Sequence, residues 1–505
     1  MARTMSLVLV QRAIKHRRRR AIIGPDGVYF YQDLLDASGR AASALLGGQK
    51  DLREKRVAFL VPPSFCHVAV QWGIWRAGGV AVPLAEFLPP PQIEYIIKDS
   101  DPAVVVAASS CKEKIKPLVG SGGRRFLAAE RALGARPTTL PRISPGRRAL
   151  IIYTSGTTGR PKGVVTTHAN IEAQVTSLVS AWEWTEKDYI LEVLPLNHVH
   201  GIINVLSCAL YSGATCKILP GFDAAEVWKR FKRGGPTLFM AVPTIYAKLI
   251  AVWKSAPPRM RPKMSASLAK MRLMVSGSAA LPKDIFREWE EISGQALLER
   301  YGMTEVGMAL SNPVRGKRIA GSVGTPLPGV EVRLLGEDGK PTNPGTPGEI
   351  HVRGPGVFKE YWRRPTATRS AFREGWFRTG DLAVIENGCY RILGRGSVDI
   401  IKSGGFKLSA LEIEDTLLSH PGIDECAVVG LPDPEWGERV AAAVVLKPGR
   451  SLTLASLREW AKEKLAPYEV PSRLLLLGQL PHNPMGKVSK AELVRLFPEE
   501  TNATF

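Results

Sequence analysis

Short apolar runs alternate with stretches of helical periodicity along most of the chain. Val57-Ala-Phe-Leu-Val61, Gly79-Val-Ala-Val-Pro83 and Ala103-Val-Val-Val-Ala107 read as buried strands, and Cys66 to Ala77 reads as a helix. Strands parted by helical segments imply a parallel or mostly parallel sheet. Residues 120–147, rich in Gly, Arg and Pro, read as an irregular connection. Ala149-Leu-Ile-Ile-Tyr153 is a further strand, and Ala169 to Trp182 is helical, with Thr167 or His168 near its start. Lys217 to Pro220 and Thr237 to Val242 are strand candidates, Pro243 opens a helix, and Arg272 to Pro282 is a strand that breaks into a Gly/Ser turn.

From Gly321 the texture changes. Pro and Gly punctuate short strands such as Val330 to Leu334 and Glu349 to Arg353, which predicts a small antiparallel barrel or sheet. Gly394-Arg-Gly-Ser397 is the strongest boundary signal, a Gly-flanked arginine after a strand. Beyond it a helix runs from Ala410 to Ser419, and the order strand, helix, strand, helix, strand fits a compact α+β domain.

A length of 505 residues suggests two to four domains, and an apolar fraction of 45% allows large cores. No apolar run approaches the length needed to span a membrane. Lys and Arg outnumber Asp and Glu by 68 to 47, a net charge of +21. That balance is open to two readings, nucleic-acid binding or a general positive field drawing in anionic substrates. The basic residues are scattered and not interleaved with aromatics, which favours the second and argues against a nucleic-acid partner. The six cysteines form no CxxC and no metal spacing, so reduced thiols in an intracellular compartment are expected. Met1 to Ala21 has no acidic residue and carries Lys15-His-Arg-Arg-Arg-Arg20. It is either the remnant of an organelle-targeting segment or a first helix, Leu7 to Ile14, ending in a solvated basic turn. The apolar spacing continues into Ala21-Ile-Ile23, which favours the helix.

The densest chemistry lies in Tyr153-Thr-Ser-Gly-Thr-Thr-Gly-Arg-Pro-Lys-Gly163. Gly156, Gly159 and Gly163 let backbone N–H groups turn inward, Thr154, Ser155, Thr157 and Thr158 add hydroxyls, and Lys162 supplies a compact positive charge. Together they suit a polyphosphate. The common P-loop is excluded, because Pro161 precedes Lys162 and Gly163 follows it, so no Gly-Lys-Ser/Thr ending opens a helix. Gly277-Ser-Ala279, at a strand's carboxyl end, can lie flat against a base or sugar. Tyr301-Gly-Met-Thr-Glu305 ends a strand in hydroxyl plus carboxylate. Thr304 and Glu305 suit a hydrated Mg²⁺ on phosphates, and Tyr301 offers a stacking face. Asp381 either accepts the two hydroxyls of a ribose or is an ordinary turn aspartate. His198 and His200 lack the third partner a metal would need. They are packed loop histidines, or one imidazole faces a substrate pocket. Lys487, alone, reads as a solvated charge.

Thr154–Gly163, Tyr301–Glu305, Gly380–Asp381, Gly394–Arg395, Gly404–Gly405 and Lys487, in this order, resemble the adenylate-forming superfamily of acyl-CoA synthetases, luciferases and peptide-synthetase adenylation domains. The likeness covers residues 20 to 495 or so. It implies an α/β fold, with a large N-terminal adenylation domain (1–393) of two αβ-layered subdomains plus a distorted β-barrel. A hinge (394–397) and a small α+β C-terminal lid domain that rotates (398–505) follow. It also implies ATP, Mg²⁺ and coenzyme A, with Glu305 on the metal and Arg395 on the ribose. Lys487 bridges carboxylate and α-phosphate, and the Lys402–Lys407 segment, with Gly404 and Gly405, moves in for thioester formation. The stretch between Arg395 and Gly404 is one residue longer than in many relatives, which leaves the hinge residue open among Ser397, Val398 and Asp399.

Within the superfamily the chain is most similar to malonyl-CoA synthetases, including the mitochondrial malonyl/methylmalonyl type. His198 to Gly201, Met240 to Tyr246, Met274 to Pro282 and Glu299 to Glu305 carry that likeness. Arg300, one residue before the Tyr301–Glu305 motif, is placed to reach the acyl pocket. A buried unpaired guanidinium would be costly in a fatty or aryl pocket, whereas a dicarboxylate offers a second carboxylate to grip, with His200 and Ser276 completing the site. The bland alternative for Arg300 is a surface salt bridge, for instance with Glu299. A single methyl group is worth only ~1–3 kcal/mol of discrimination, which leaves malonate and methylmalonate both open. Two rivals stand beside this reading: a synthetase for another short- or medium-chain acid, and a non-catalytic binder on a retired scaffold. The expected protein is a monomer or dimer in the cytoplasm or mitochondrial matrix, without stable membrane insertion.

Overall fold

The computed structural model describes residues 7–119, 123–154, 161–404, 406–482 and 488–498. The chain splits into two compact units. One comprises Met1–Leu281, Ile285–Val332 and Val352–Phe377, and the other Pro282–Asp284, Arg333–His351 and Arg378–Phe505.

The first unit contains two sheets flanked by helices. In the seven-stranded sheet, Val80–Pro83, Arg56–Leu60, Val104–Ala107 and Arg125–Ala128 are parallel neighbours. Arg148–Thr154 joins Val80–Pro83 in parallel, and Lys162–Thr167 returns antiparallel to it. Helices cover both faces, so these strands are buried on both sides and read as continuous apolar runs. Alternation along one strand feeds two cores: Val57 and Phe59 enter the large core with Trp72 and Trp75, while Ala58 and Leu60 face the smaller one with Ile93 and Ile115.

The nine-stranded sheet has six adjacent parallel strands: Arg20–Gly24, Thr215–Ile218, Tyr189–Glu192, Leu238–Ala241, Leu273–Ser276 and Leu298–Met303. Gly307–Ser311 turns back antiparallel along Leu298–Met303. The first helix, Val8–Lys15, buries Leu9 and Ala13, and Arg12 Nε donates to the Tyr211 carbonyl at 2.7 Å. It is built into the unit, as the first-helix reading expects. Residues 120–147 differ from expectation: Arg125–Ala128 is an edge strand and Ala129–Leu133 a short helix. The strand is half-exposed, so its pairing with Val104–Ala107 defines it and no apolar run announces it. Among the described residues no helix is long and apolar enough to cross a membrane.

In the second unit, Trp376–Glu386, most of which lies here, pairs with Cys389–Arg395, setting Asp381 opposite Arg395. The strands expected singly beyond it arrive as hairpins. Ile400–Ser403 pairs with Phe406–Ser409 across a tight turn at Gly404. Ile423–Asp433 pairs with Gly437–Leu446, where the Asp433 carboxylate accepts the Glu435 and Trp436 N–H groups. Helix Ala410–Leu418, capped by Ser409 Oγ, lies between the hairpins. Helix Leu454–Lys462, strand Arg473–Leu476 and helix Lys490–Leu496 complete the unit.

Candidate active site

The carboxyl ends of Leu273–Ser276 and Leu298–Met303 lie side by side, the usual ligand position of an open α/β sheet. Arg300 is 4% exposed. Its Nη2 reaches Ser278 Oγ at 3.5 Å, its Nε is buried without a hydrogen-bond partner, and it makes no ion pair among the described residues. Burial alone pushes the guanidinium down to about 9. The surface salt-bridge alternative does not hold, since Arg300 is buried and without an ion pair among the described residues; the Glu299 carboxylate accepts the Gly321 N–H at 2.8 Å. A Cβ on Gly277 would stand 2.5 Å from Arg300 Cζ, so only glycine lets the guanidinium lie against this turn.

His200 Nδ1 lies 3.2 Å from Ser278 Oγ, and its Nε2 is buried with no hydrogen bond. Burial, then the charge of Arg300, then His198 push its pKa well below the ordinary value, so the ring is neutral. Ser276 Oγ is fully buried and makes no hydrogen bond. The hydroxyl of Ser278, a residue expected against the nucleotide, engages His200 and Arg300, at a left-handed φ of 72°. Asn197 does lie in a turn, but the turn runs directly into a helix and does not extend to Gly201. His200–Ser207 is a π-helix, buried throughout, a form that collects at functional sites. Arg300, His200 and Ser278 thus form a desolvated polar cluster with one uncompensated positive charge, while Ser276 is paired with Glu299 across the neighbouring strand and no hydrogen bond joins it to them.

A second group forms around the base of the phosphate loop. Thr154 and Lys162 are opposite residues of the antiparallel ladder, and Thr154 Oγ1 donates to the Lys162 carbonyl at 3.5 Å. Ser155, Gly156, Thr157, Thr158 and Gly159 lie outside the described residues. Lys162 Nζ sits 5.1 Å above the Tyr361 ring, and Tyr361 Oη donates to Glu305 Oε1 at 2.9 Å. Tyr361 stands on Glu360–Tyr361, which pairs with Lys162–Thr167, so it joins the loop lysine to the glutamate. Tyr301, Gly302 and Met303 end their strand, and Thr304 and Glu305 form the turn to Gly307–Ser311. Glu305 is 5% exposed. No group of three His, Cys, Asp or Glu side chains capable of holding a metal occurs among the described residues. One carboxylate beside a threonine fits Mg²⁺, which takes one or two carboxylates, keeps waters and arrives on phosphates.

Tyr361 has no sequence signal, because its partners are distant in the chain. Tyr361→Phe keeps the ring under Lys162 but removes a hydrogen bond to a charged group. Such bonds contribute ~1.5–3 kcal/mol, so kcat/KM for MgATP should fall roughly tenfold or more in initial-rate assays.

In the second unit, Arg395 Nε donates to Asp381 Oδ1 at 2.8 Å, and Asp381 N–H donates to Thr379 Oγ1 at 3.0 Å. Asp381 is therefore a strand residue, not the turn aspartate of the bland alternative. Gly404 takes a left-handed φ of 55° in its turn. Gly405 and Lys487 lie outside the described residues.

The AMP-binding enzyme model matches residues 9–362, and the AMP-binding enzyme C-terminal domain model matches residues 412–487. The mitochondrial malonate–CoA ligase ACSF3 of Mus musculus is 48% identical over 525 residues, spanning 96% of this chain and 90% of its own length. The malonate–CoA ligase of Arabidopsis thaliana is 42% identical, spanning 94% of this chain and 86% of its own. The crystal structure of ATP-bound MatB from Rhodopseudomonas palustris superposes with a TM-score of 0.90 at 35% identity, covering 97% of this chain and 99% of that one.

Proposed function

The chain belongs to the AMP-binding enzyme family, and from that premise we propose that it is an ATP-dependent malonate–CoA ligase. Malonate, ATP and CoA give malonyl-CoA, AMP and pyrophosphate through malonyl-adenylate. The observation that carries the choice of acid is the buried, uncompensated Arg300 guanidinium beside Ser278 and neutral His200, and Ser276, at the end of the neighbouring strand, completes the acid site. A monoacid would leave that charge unanswered, whereas the far carboxylate of malonate pairs with it.

In the first step one oxygen of the near carboxylate attacks the α-phosphorus. The bond from that phosphorus to the bridging oxygen breaks, and pyrophosphate leaves with the electron pair. The protein positions the reactants and neutralises charge. Thr154, Ser155, Gly156, Thr157, Thr158, Gly159 and Lys162 cradle the phosphates. Gly277, Ser278, Ala279, Tyr301, Gly302, Met303 and Thr304 line the nucleotide, Asp381 and Arg395 take the ribose, and Lys487 bridges carboxylate and α-phosphate. Glu305 would hold Mg²⁺, which when bound neutralises phosphate charge. In the second step the CoA thiolate attacks the acyl carbon and AMP leaves with its oxygen. Between steps the domain beyond the 394–397 hinge rotates, so that Lys487 withdraws and the segment around Gly404 and Gly405 moves in. Such closure keeps the adenylate dry. The mitochondrial designation of the ACSF3 relatives favours the matrix as its compartment.

A panel of mono- and dicarboxylic acids scored by CoA-thioester formation tests this reading. Malonate should be turned over at least a hundredfold faster than acetate, propionate or hexanoate. Comparable rates with a monoacid would refute the choice of acid, and absence of ATP–pyrophosphate exchange with every acid would refute the enzyme.

A further inference from the structure

A buried lysine outside the machinery described so far ties the ribose-side residues to the end of the chain. The Lys490 side chain is 10% exposed, and its Nζ lies 2.7 Å from Asp399 Oδ1 and 2.7 Å from Glu414 Oε1. Both carboxylates are themselves largely buried, and each has a further duty. Glu414 Oε1 accepts the Val428 N–H at 2.7 Å, fixing helix Ala410–Leu418 to the strand Ile423–Asp433. Asp399 Oδ2 accepts the backbone N–H of Arg395 at 3.0 Å, and the Asp399 N–H donates back to the Arg395 carbonyl at 2.7 Å. The Asp399 carbonyl accepts the Ala410 N–H at 2.8 Å. The turn is closed tightly: Gly394 has φ 125°, and a Cβ there would meet Asp399 Cβ at 2.4 Å.

The Arg395 side chain in turn donates to Asp381 Oδ1 and, at 3.4 Å, to the Thr379 carbonyl. The chain of contacts therefore runs from Lys490 through Asp399 to the Arg395 backbone, and from the Arg395 guanidinium to Asp381. Without the ammonium, two buried carboxylates would face each other with no cation between them, a situation that disperses carboxylates or protonates one. Asp399 lies in the turn after a strand while Glu414 stands on a helix, so the repulsion would act on the turn that carries Arg395.

We propose that Lys490 is a positioning residue for the nucleotide: it holds Asp399, and through Asp399 the Arg395–Asp381 pair, in the register that receives the ribose. The proposal rests on the assignment of Asp381 and Arg395 to the ribose. Lys490 does not touch substrate, so its loss acts on ATP and not on the acid.

Steady-state kinetics on the full-length chain tests this, with Lys490→Met, Lys490→Arg, Asp399→Asn, the Lys490→Met/Asp399→Asn double variant and Asp381→Ala. Lys490→Met should raise KM for ATP at least fivefold and leave KM for malonate within twofold, and Lys490→Arg should restore at least half of the loss. Asp399→Asn should have the same effect, and the double variant should be no worse than either single one, because one relay is broken once. Asp399→Asn carries the prediction should Lys490→Met not accumulate as folded protein. An unchanged KM for ATP in folded Lys490→Met, equal changes for both substrates, or multiplying effects in the double variant would overturn the relay. Asp381→Ala tells the two layers apart. If it raises KM for ATP while Lys490→Met does not, the relay alone has failed. If it too leaves KM unchanged, the ribose assignment has failed and the relay with it.

Discussion

Replacing Arg300 with methionine should all but abolish malonate turnover and, at the same time, raise the melting temperature of the ligand-free protein. The two effects have one cause. The guanidinium is 4% exposed, makes no ion pair among the described residues, and leaves its Nε without a partner. Removing one member of a buried charge pair costs about 2–5 kcal/mol, so kcat/KM for malonate should drop by a factor of about thirty to several thousand. Before malonate arrives there is no pair, only a charge taken out of water. Substituting an apolar side chain of similar reach removes the desolvation cost of that unpaired charge and should therefore stabilise the fold. Calorimetry should therefore show Arg300→Met melting above the parent without ligand, and malonate should raise the melting point of the parent but not of the variant. Malonate turnover near that of the parent would remove Arg300 from the acid site.

Glu305→Gln should cost about two to three orders of magnitude in ATP–pyrophosphate exchange, the range seen when one preorganised electrostatic group is lost. Glutamine keeps the shape and can still accept the Tyr361 hydroxyl, so the turn should stay intact. What disappears is the negative charge. The residual activity should need far more Mg²⁺ for half-saturation, and a Mg²⁺ titration of the exchange reaction reads this directly. Activity within tenfold of the parent, with unchanged Mg²⁺ dependence, would assign Glu305 a purely structural part in holding Tyr361 and the Phe358 N–H, which donates to its carbonyl at 2.7 Å.

The sheets of the first unit were legible because their central strands are buried on both faces and so read as unbroken apolar runs, Val104–Ala107 being one. Arg125–Ala128 was not, since an edge strand is specified by its neighbour. Arg300 could be singled out because burying a guanidinium is expensive enough to demand a reason. Tyr361 could not: its contact with Glu305 spans 56 positions and depends on strand pairing. The π-helix is hidden behind Asn, His and Gly, residues that ordinarily mark a turn, and no sequence pattern joins Lys490 to Asp399 and Glu414, 91 and 76 positions away. What sequence conceals here is tertiary pairing of polar groups, for which there is no periodicity to read.

The wide spiral at His200–Ser207 has a consequence for how this scaffold diversifies. A π turn holds more residues than an α turn, so losing one residue there would tighten the coil and swing His200 away from Ser278 while leaving every other side chain chemically unaltered. Given the proposed part of His200 in seating the acid, deletion of a single residue here should alter which acid is accepted as much as exchange of one amino acid for another.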